Sequence, residues 1–279
     1  MLTTSVVVDG LWFAECPRWH NGRLWFSDMV AERVMTSDLK GNLEEVVEVP
    51  GLPGGLGWLP DGRLLVVSMK RRRLLRLDPE GLVEVSDLNK YAAYHCNDMV
   101  VDARGNAYVG NYGFDYLKEP FAPAAMIFVS PEGETRIVAE DLAFPNGTVI
   151  TPDGKTLVVA ETFAQRLTAF DIEADGNLKG RRVWAQIPEC APDGICLDQE
   201  SAIWVASPMT GEVIRCCEGG KVTHRVKPKN PPYACMLGGL DGRTLFVCTA
   251  ESDIPEKLRE KASGMIEAVQ VDVPGAGLP

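Results

Sequence analysis

The octapeptide Pro60-Asp-Gly-Arg-Leu-Leu-Val-Val67 returns almost unchanged as Pro152-Asp-Gly-Lys-Thr-Leu-Val-Val159. Each copy begins with a tight turn, because glycine adopts positive φ without strain, and continues as an apolar strand. The same pattern recurs along the whole chain in six copies, about 40 to 50 residues apart. The four other copies span residues 20–27, 103–110, 199–206 and 240–247.

A second turn follows most of these strands, as in Asp78-Pro-Glu-Gly81 and Ser130-Pro-Glu-Gly133, with a short β-rich run on either side. Each unit therefore consists of four short strands joined by two turns and a loop. Four antiparallel strands every 40–50 residues are typical of a β-propeller blade. We predict an all-β fold, a six-bladed β-propeller with four antiparallel strands per blade, in which residues 1–279 form a single domain.

The sixth unit is one strand short, because the chain ends soon after the run 264–273. The β-branched run 3–8 at the N-terminus has no partner of its own, and we expect it to supply the missing outer strand and close the ring. The charged segment 254–261, inside the sixth unit, is the one strongly helical pattern. Two stacked all-β domains are the alternative architecture, but nothing in the sequence resembles a linker.

Composition and charge exclude several classes of function. The chain has 28 Lys plus Arg against 39 Asp plus Glu, a net charge of −11, so it lacks the basic surface that binds nucleic acid or an anionic membrane. Its apolar runs are far shorter than the ~20 residues of a spanning helix, and its first residues do not resemble a signal peptide. We expect a cytoplasmic protein whose eight cysteines are reduced, with no nucleic acid or membrane partner.

Candidate site residues come from the innermost strand of each blade, which lines the central channel and starts near one mouth. We aligned the units on the turn glycine and compared the residues seven or eight positions upstream. Two units carry Gly55 and Ala234 there. The other four carry oxygen-bearing side chains, which ring closure would bring together on the axis: Glu15, Asn97, Asn146 and Asp193.

Two carboxylates and two amides that converge in a channel need a positive charge to offset the repulsion between the acids. A divalent cation supplies it, and hard oxygen donors favour Ca²⁺, Mg²⁺ or Mn²⁺ over a structural zinc ion. The alternative is that Asn146 and Asp193, each followed by a glycine, are only turn residues.

Four runs resemble the senescence marker protein/regucalcin/gluconolactonase family: Glu15-Cys-Pro-Arg-Trp19, Asn97-Asp98, Phe144-Pro-Asn-Gly147 and Pro192-Asp-Gly-Ile195. The resemblance covers nearly the whole chain. It implies a six-bladed propeller with one catalytic divalent metal ion in the channel, which hydrolyses sugar lactones or related cyclic esters. Ca²⁺ is the expected ion, and Zn²⁺, Mg²⁺, Mn²⁺ and Fe²⁺ are the alternatives.

The resemblance also implies roles for individual residues. The metal ligands would be Glu15, Asn146 and Asp193. The residues that contact the substrate would be three others, of which the last two depart from the family's usual residues: Asn97, His95 and Asp115.

Three side-chain ligands leave positions open for substrate and water. Asp193 is then the expected catalytic residue, a general base that takes a proton from the attacking water, and the chain lacks a Gly-x-Ser-x-Gly nucleophile motif. The partner would be a small-molecule lactone, covered by the aromatic connection 112–123. Two alternatives remain: a phosphotriesterase-like hydrolase that uses the same metal, and a non-catalytic calcium-binding regulatory propeller.

Overall fold

The structure is a computed structural model that describes residues 1–278. Two short strands precede the first blade, β1 (Leu2–Thr3) and β2 (Ser5–Leu11). The first three blades follow in chain order, each from the channel outward: β3 (Ala14–His20), β4 (Arg23–Asp28), β5 (Arg33–Ser37) and β6 (Leu43–Glu48); β7 (Pro53–Trp58), β8 (Leu64–Ser68), β9 (Arg73–Asp78) and β10 (Gly81–Asp87); β11 (Cys96–Val101), β12 (Ala107–Asn111), β13 (Ala124–Val129) and β14 (Thr135–Leu142).

The remaining three blades repeat this order, and the sixth contains the one α-helix of residues 1–278, α1 (Pro255–Glu260). Their strands are β15 (Pro145–Ile150), β16 (Thr156–Glu161), β17 (Arg166–Ile172) and β18 (Leu178–Gln186); β19 (Ile195–Leu197), β20 (Ile203–Ser207), β21 (Glu212–Cys216) and β22 (Val222–Lys227); β23 (Pro232–Gly238), β24 (Thr244–Thr249) and β25 (Gly264–Gln270). The predicted six-bladed propeller is confirmed.

The N-terminal segment closes the ring, but not with the bounds predicted from the sequence. β2 pairs antiparallel with β25 as the fourth strand of the sixth blade, and it runs on to Leu11. Thr3 was placed in this strand, which is wrong: Leu2 and Thr3 form β1, which pairs parallel with β22 of the fifth blade. The N-terminus therefore joins two neighbouring blades.

The second strands of the blades are apolar without alternation. All five residues of β8 (Leu-Leu-Val-Val-Ser) are buried, as are those of β12 and β20, because both faces of a blade pack against its neighbours. The outermost strands, such as β6 and β10, are largely exposed. The apolar core therefore lies between the blades, and the channel is left to the innermost strands.

The six innermost strands contact one another around the axis in the order β3, β7, β11, β15, β19, β23 and back to β3. This close approach explains Gly147 and Gly194. Neither has a positive φ, and Gly147 lies inside β15, so Asn146 is a strand residue and not a turn residue. A Cβ on Gly147 would lie 2.5 Å from the amide nitrogen of Ile195, and one on Gly194 would lie 2.4 Å from the Cβ of Ala234.

The two mouths of the channel differ in their connections. The innermost strands begin at one mouth, where the long connections 112–123 and 250–263 also lie, on the opposite third and sixth blades. We call this the site mouth. The other mouth carries the short Asp-Gly turns of the sequence repeat. Among residues 1–278 we find no helix with the length and apolar character to cross a bilayer.

Candidate functional site

An irregularity occurs near the start of nearly every innermost strand. Between Glu15 and Arg18 the strand β3 has one residue more than its partner β4. The strands β7, β11, β15 and β23 have the same extra residue at their starts. Such a bulge bends a strand and changes the direction of its side chains. The site mouth is therefore lined by bulged backbone.

The four oxygen-bearing residues lie at these strand starts. Glu15, Asn97 and Asn146 are each the second residue of their strand, and they are 9%, 6% and 8% exposed. Asp193 precedes β19, held there by a hydrogen bond from its N–H to the carbonyl of Ala206 at 3.0 Å. As a residue it is more exposed than the other three.

Hydrogen bonds orient the two amides. The Nδ2 of Asn97 donates to the carbonyl oxygen of Pro145 at 3.3 Å, and the Nδ2 of Asn146 donates to the Oγ1 of Thr162 at 3.3 Å. Thr162 in turn donates to the carbonyl oxygen of Pro192, next to Asp193, at 2.8 Å. Because the nitrogens are bonded to protein, both amides can present their Oδ1 atoms as ligands. Sequence reasoning missed Thr162, which links the fourth and fifth blades beside the site.

The surroundings of the two acids, Glu15 and Asp193, make both of them hard to ionise. Burial raises the pKa of Glu15 to about 7, and the charge of Asp98 adds to the rise. Burial also raises the pKa of Asp193 well above its usual range, helped by the negative charges of Glu15, Asp253 and Asp98, while the amide of Asn146 pulls it down. Two neighbouring acids whose surroundings disfavour ionisation form a site that a cation would stabilise.

A buried ion pair lies beside these acids, and sequence reasoning did not single it out. Arg18 Nη2 contacts Asp98 Oδ1 at 2.5 Å, with both side chains almost fully buried. The same guanidinium donates to the carbonyl oxygens of Pro17, Leu56 and Met99. Arg18 thus ties together the first three innermost strands, and its charge also lowers the pKa of Glu15. The sequence did contain a sign of this pair, because Arg18 and Asp98 are charged residues within strands that were predicted to be buried.

Residues 13–251 match the family model described as the SMP-30/gluconolactonase/LRE-like region. The chain belongs to this family. A regucalcin of Danio rerio is 26% identical over 251 residues, which are 85% of this chain and 82% of that protein. The diisopropyl-fluorophosphatase of Loligo vulgaris is 25% identical over 262 residues, 84% of this chain and 82% of the other.

A solved structure has the same fold. It is that of a calcium-binding protein, regucalcin, from Agrobacterium tumefaciens, with a TM-score of 0.83, 20% identity and coverage of 100% of this chain and 97% of that one. This likeness confirms the propeller fold, and the family match supports a hydrolase of the propeller type.

In this member of the family, the two other predicted substrate residues lie at the rim. His95 stacks on Tyr94, with ring centroids 4.1 Å apart, and its carbonyl oxygen accepts the N–H of Tyr112 at 2.9 Å. Burial and the charge of Lys70 lower the pKa of His95 to about 4, so the ring is neutral at pH 7. The structure therefore places an uncharged imidazole, two residues before Asn97, at the site mouth.

Asp115 lies on the connection 112–123, and its carboxylate is already occupied. It accepts the N–H of Leu117 at 3.2 Å and pairs with Lys118 at 3.3 Å. Hydrogen bonds from Lys118, Leu117 and the hydroxyl of Tyr94 lower the pKa of Asp115 against the effect of its desolvation. Asp115 thus shapes the connection, and the structure does not bring it into the group formed by Glu15 and Asp193.

Three tyrosines are affected by the charge of the acids: Tyr112 and Tyr116 from the connection 112–123, and Tyr233, which sequence reasoning did not single out. Burial raises the pKa of Tyr112 well above its usual value, and the negative charges of Asp193 and Glu15 raise it further. Burial raises the pKa of Tyr233, the second residue of β23, and the negative charges of Asp193 and Glu15 raise it further. Tyr116 has its pKa raised to about 12 by burial and by nearby acids that include Asp193. Three hydroxyl groups therefore lie around the acidic pair.

Proposed function

We propose that the protein is a metal-dependent hydrolase that opens a lactone ring, with Asp193 as the general base. The observation that carries the proposal is the meeting of Glu15 and Asp193, from blades far apart in sequence, beside the amides of Asn97 and Asn146. Nothing in the packing of the propeller requires two acids with raised pKa values at its axis. Perturbed acids in a channel are typical of functional sites.

The residues present fit a divalent metal ion. Glu15, Asn146 and Asp193 would hold it, because they offer two carboxylates and an amide oxygen, which are the donors that Ca²⁺ and other hard cations prefer. Among residues 1–278 no three His, Cys, Asp or Glu side chains form a group of metal ligands, so amide oxygens must complete the set. When bound, the ion supplies the positive charge that ionises both acids and polarises the lactone carbonyl.

The roles of Asp193 and Glu15 differ because their surroundings differ. The Oε2 of Glu15 accepts the N–H of Cys16 at 2.6 Å, and the side chain is buried behind the bulge. Asp193 is the more exposed residue of the two, so a water molecule can reach it. We therefore assign proton transfer to Asp193: it takes a proton from the attacking water as the water oxygen bonds to the carbonyl carbon. The proton then passes to the ring oxygen as the ester bond breaks.

Asn97 and His95 would hold the substrate. Asn97 is hydrogen bonded to Pro145, the residue before Asn146, and it would orient the ester by hydrogen bonding. His95 is neutral and stands at the rim, where it can donate or accept one hydrogen bond. Orientation of the ester against the base contributes to catalysis by reducing the entropy that is lost in the transition state.

The deciding experiment is a lactone panel assayed on chelated protein, with each divalent ion added back separately. We expect ring opening that is absent after chelation and restored by Ca²⁺ or another hard cation. Hydrolysis that persists at full rate in the chelated protein would contradict the metal dependence. A protein that binds the ion but opens none of the lactones would instead be a calcium-binding regulatory propeller.

A phosphotriesterase-like activity is the second candidate, and the similarity to the diisopropyl-fluorophosphatase of Loligo vulgaris favours it. The same acids and cation could act on a phosphoryl group instead of a carbonyl. A fluorophosphate ester assayed beside the lactones would distinguish the two, since the better substrate class has the higher kcat/KM on the same protein and metal.

A further inference from the structure

The site mouth has an aromatic wall that the hydrolysis of an ester does not require. Tyr112 stacks on Phe144, with ring centroids 4.4 Å apart and planes 19° apart. Phe144 directly precedes Pro145 and Asn146, and its φ of 62° is unusual for a bulky residue. Such strained residues cluster at binding and catalytic sites. The strain holds the Phe144 ring beside the acidic group.

The wall continues outward from Phe144 to solvent. Phe144 and Phe163 have ring centroids 5.2 Å apart, and those of Phe163 and Phe121 are 6.4 Å apart. Buried Phe114 packs beneath both, at 5.6 Å from each. Phe163 and Phe121 are 50% and 56% exposed, although they come from different blades. An exposed apolar surface that adjoins a polar site usually has a ligand or partner to cover it.

The chemistry of this wall changes with distance from the acids. Near Glu15 and Asp193 the rings are tyrosines, whose hydroxyl groups can bond to the ester and to water. Farther out, at Phe163 and Phe121, the wall has no polar atom. The nearby acid that could bind a sugar hydroxyl, Asp115, is already bonded to Lys118 and to the N–H of Leu117. A hydroxyl group placed against phenylalanine loses its hydrogen bonds to water without replacement.

We propose that the substrate is a lactone whose ring carries an apolar substituent, and that the substituent lies along Phe144, Phe163 and Phe121. This inference rests on the proposed lactonase function and specifies its substrate class. The ester ring would lie between the tyrosines and the acidic group, and the alkyl or aryl substituent would point outward along the wall. Unsubstituted and polyhydroxylated lactones would gain no binding free energy from Phe163 and Phe121.

The test compares three six-membered lactones at a saturating divalent ion: δ-decalactone with a pentyl chain, unsubstituted δ-valerolactone, and glucono-1,5-lactone. We expect kcat/KM for δ-decalactone to exceed both others about tenfold or more, because each methylene group removed from water contributes about fourfold. The double variant Phe121→Ser/Phe163→Ser should lower kcat/KM for δ-decalactone about fivefold to tenfold and leave δ-valerolactone unchanged. The matched control is Leu240→Ser, since Leu240 is 95% exposed at the opposite mouth, and it should change neither.

A binding measurement separates this inference from the proposed function. Calorimetry with two non-hydrolysable lactams, piperidin-2-one and its 6-pentyl derivative, reports on the wall even if no lactone is opened. We expect the pentyl lactam to bind about tenfold tighter, and the double variant to remove that difference. If no lactone is opened but the lactam difference holds, the proposed function fails and the apolar subsite stands. Equal binding of the two lactams, or glucono-1,5-lactone as the best substrate, would overturn the inference.

Discussion

The two mouths of the channel use the same residue pair, Asp-Gly, in opposite ways. At the mouth that carries the short turns of the repeat, Asp153 accepts the N–H of Lys155 at 3.1 Å and the hydroxyl of Thr151 at 2.6 Å. These hydrogen bonds lower its pKa, and Gly154 has a φ of +69°. At the site mouth, burial and neighbouring negative charges raise the pKa of Asp193, and Gly194 is needed for close packing.

The difference shows that one motif can serve stability or chemistry, depending on what surrounds it. Asp153 is ionised and bonded to its own turn, so its charge is stabilised locally. Asp193 is held where ionisation is costly, so its charge needs a partner from outside the chain. Variants at the two mouths can therefore test this contrast directly.

Asp193→Asn should lower kcat for lactone opening by two to four orders of magnitude at saturating metal, because the amide cannot accept the proton of the attacking water. The matched variant is Asp153→Asn at the other mouth, which should leave kcat unchanged and the urea midpoint nearly so. Steady-state kinetics and urea unfolding of both variants provide the measurement. A near-normal kcat in Asp193→Asn would show that another group acts as the general base.

Arg18→Met should lower the free energy of unfolding by about 3–5 kcal/mol, because it leaves Asp98 as a buried charge without its partner. The control is Arg63→Met, which breaks solvent-exposed pairs with Asp61 at 2.5 Å and Asp78 at 3.2 Å and should have a much smaller effect. Adding Asp98→Leu to Arg18→Met should recover part of the loss. Equal effects of Arg18→Met and Arg63→Met in urea unfolding would show that the buried pair stabilises the fold no more than the exposed pairs do.

The metal-free protein should lose stability as the pH rises from 5.5 to 8. The pKa of Glu15 is about 7 in the folded state against 4.5 in its ordinary environment, so the folded state holds the proton more tightly than the unfolded state. The stabilisation present below the unfolded pKa is lost as the pH passes the folded pKa, by on the order of 2 kcal/mol between pH 5.5 and 8.

Saturating Ca²⁺ should remove this loss, since the bound ion favours the ionised acid. Thermal unfolding across the pH series, with and without Ca²⁺, measures both effects. Glu15→Gln should reduce the pH dependence to the part that Asp193 contributes, and it should abolish the response to Ca²⁺. A melting temperature of metal-free protein that rises from pH 5.5 to 8 would contradict the raised pKa.

His95→Ala should raise KM about tenfold with little change in kcat, the loss expected for one substrate contact at the rim. Because the pKa of His95 is about 4, its contribution should not change between pH 6 and pH 8. His224→Ala, on the outer strand β22, is the control and should leave KM unchanged. A KM for the wild-type protein that falls steeply toward pH 6, with the fall absent in His95→Ala, would show that the imidazole binds substrate as a cation.

The turn repeat was sufficient to predict the blades, because glycine at a hairpin and an apolar run are local properties. Its register also grouped Glu15, Asn97, Asn146 and Asp193, and in the structure they lie at the starts of innermost strands. The ion pair of Arg18 and Asp98 could not be predicted, because the two residues lie eighty positions apart and the bulges interrupt strand alternation. Neither could the pairing of Thr3 with β22, since a run of β-branched residues does not indicate which edge it joins.

The sequence by itself determined the number of blades, the closing strand of the sixth blade and the oxygen-bearing residues at the starts of the innermost strands. These features follow from the spacing of the repeat, the residues of its turns and the alignment of the units, which are all properties of the linear sequence. Only the tertiary structure decided which acids are hard to ionise, which amide oxygens are left for a ligand and which aromatic rings form the wall. Those properties depend on burial and on groups from other blades, so no single stretch of the chain contains them.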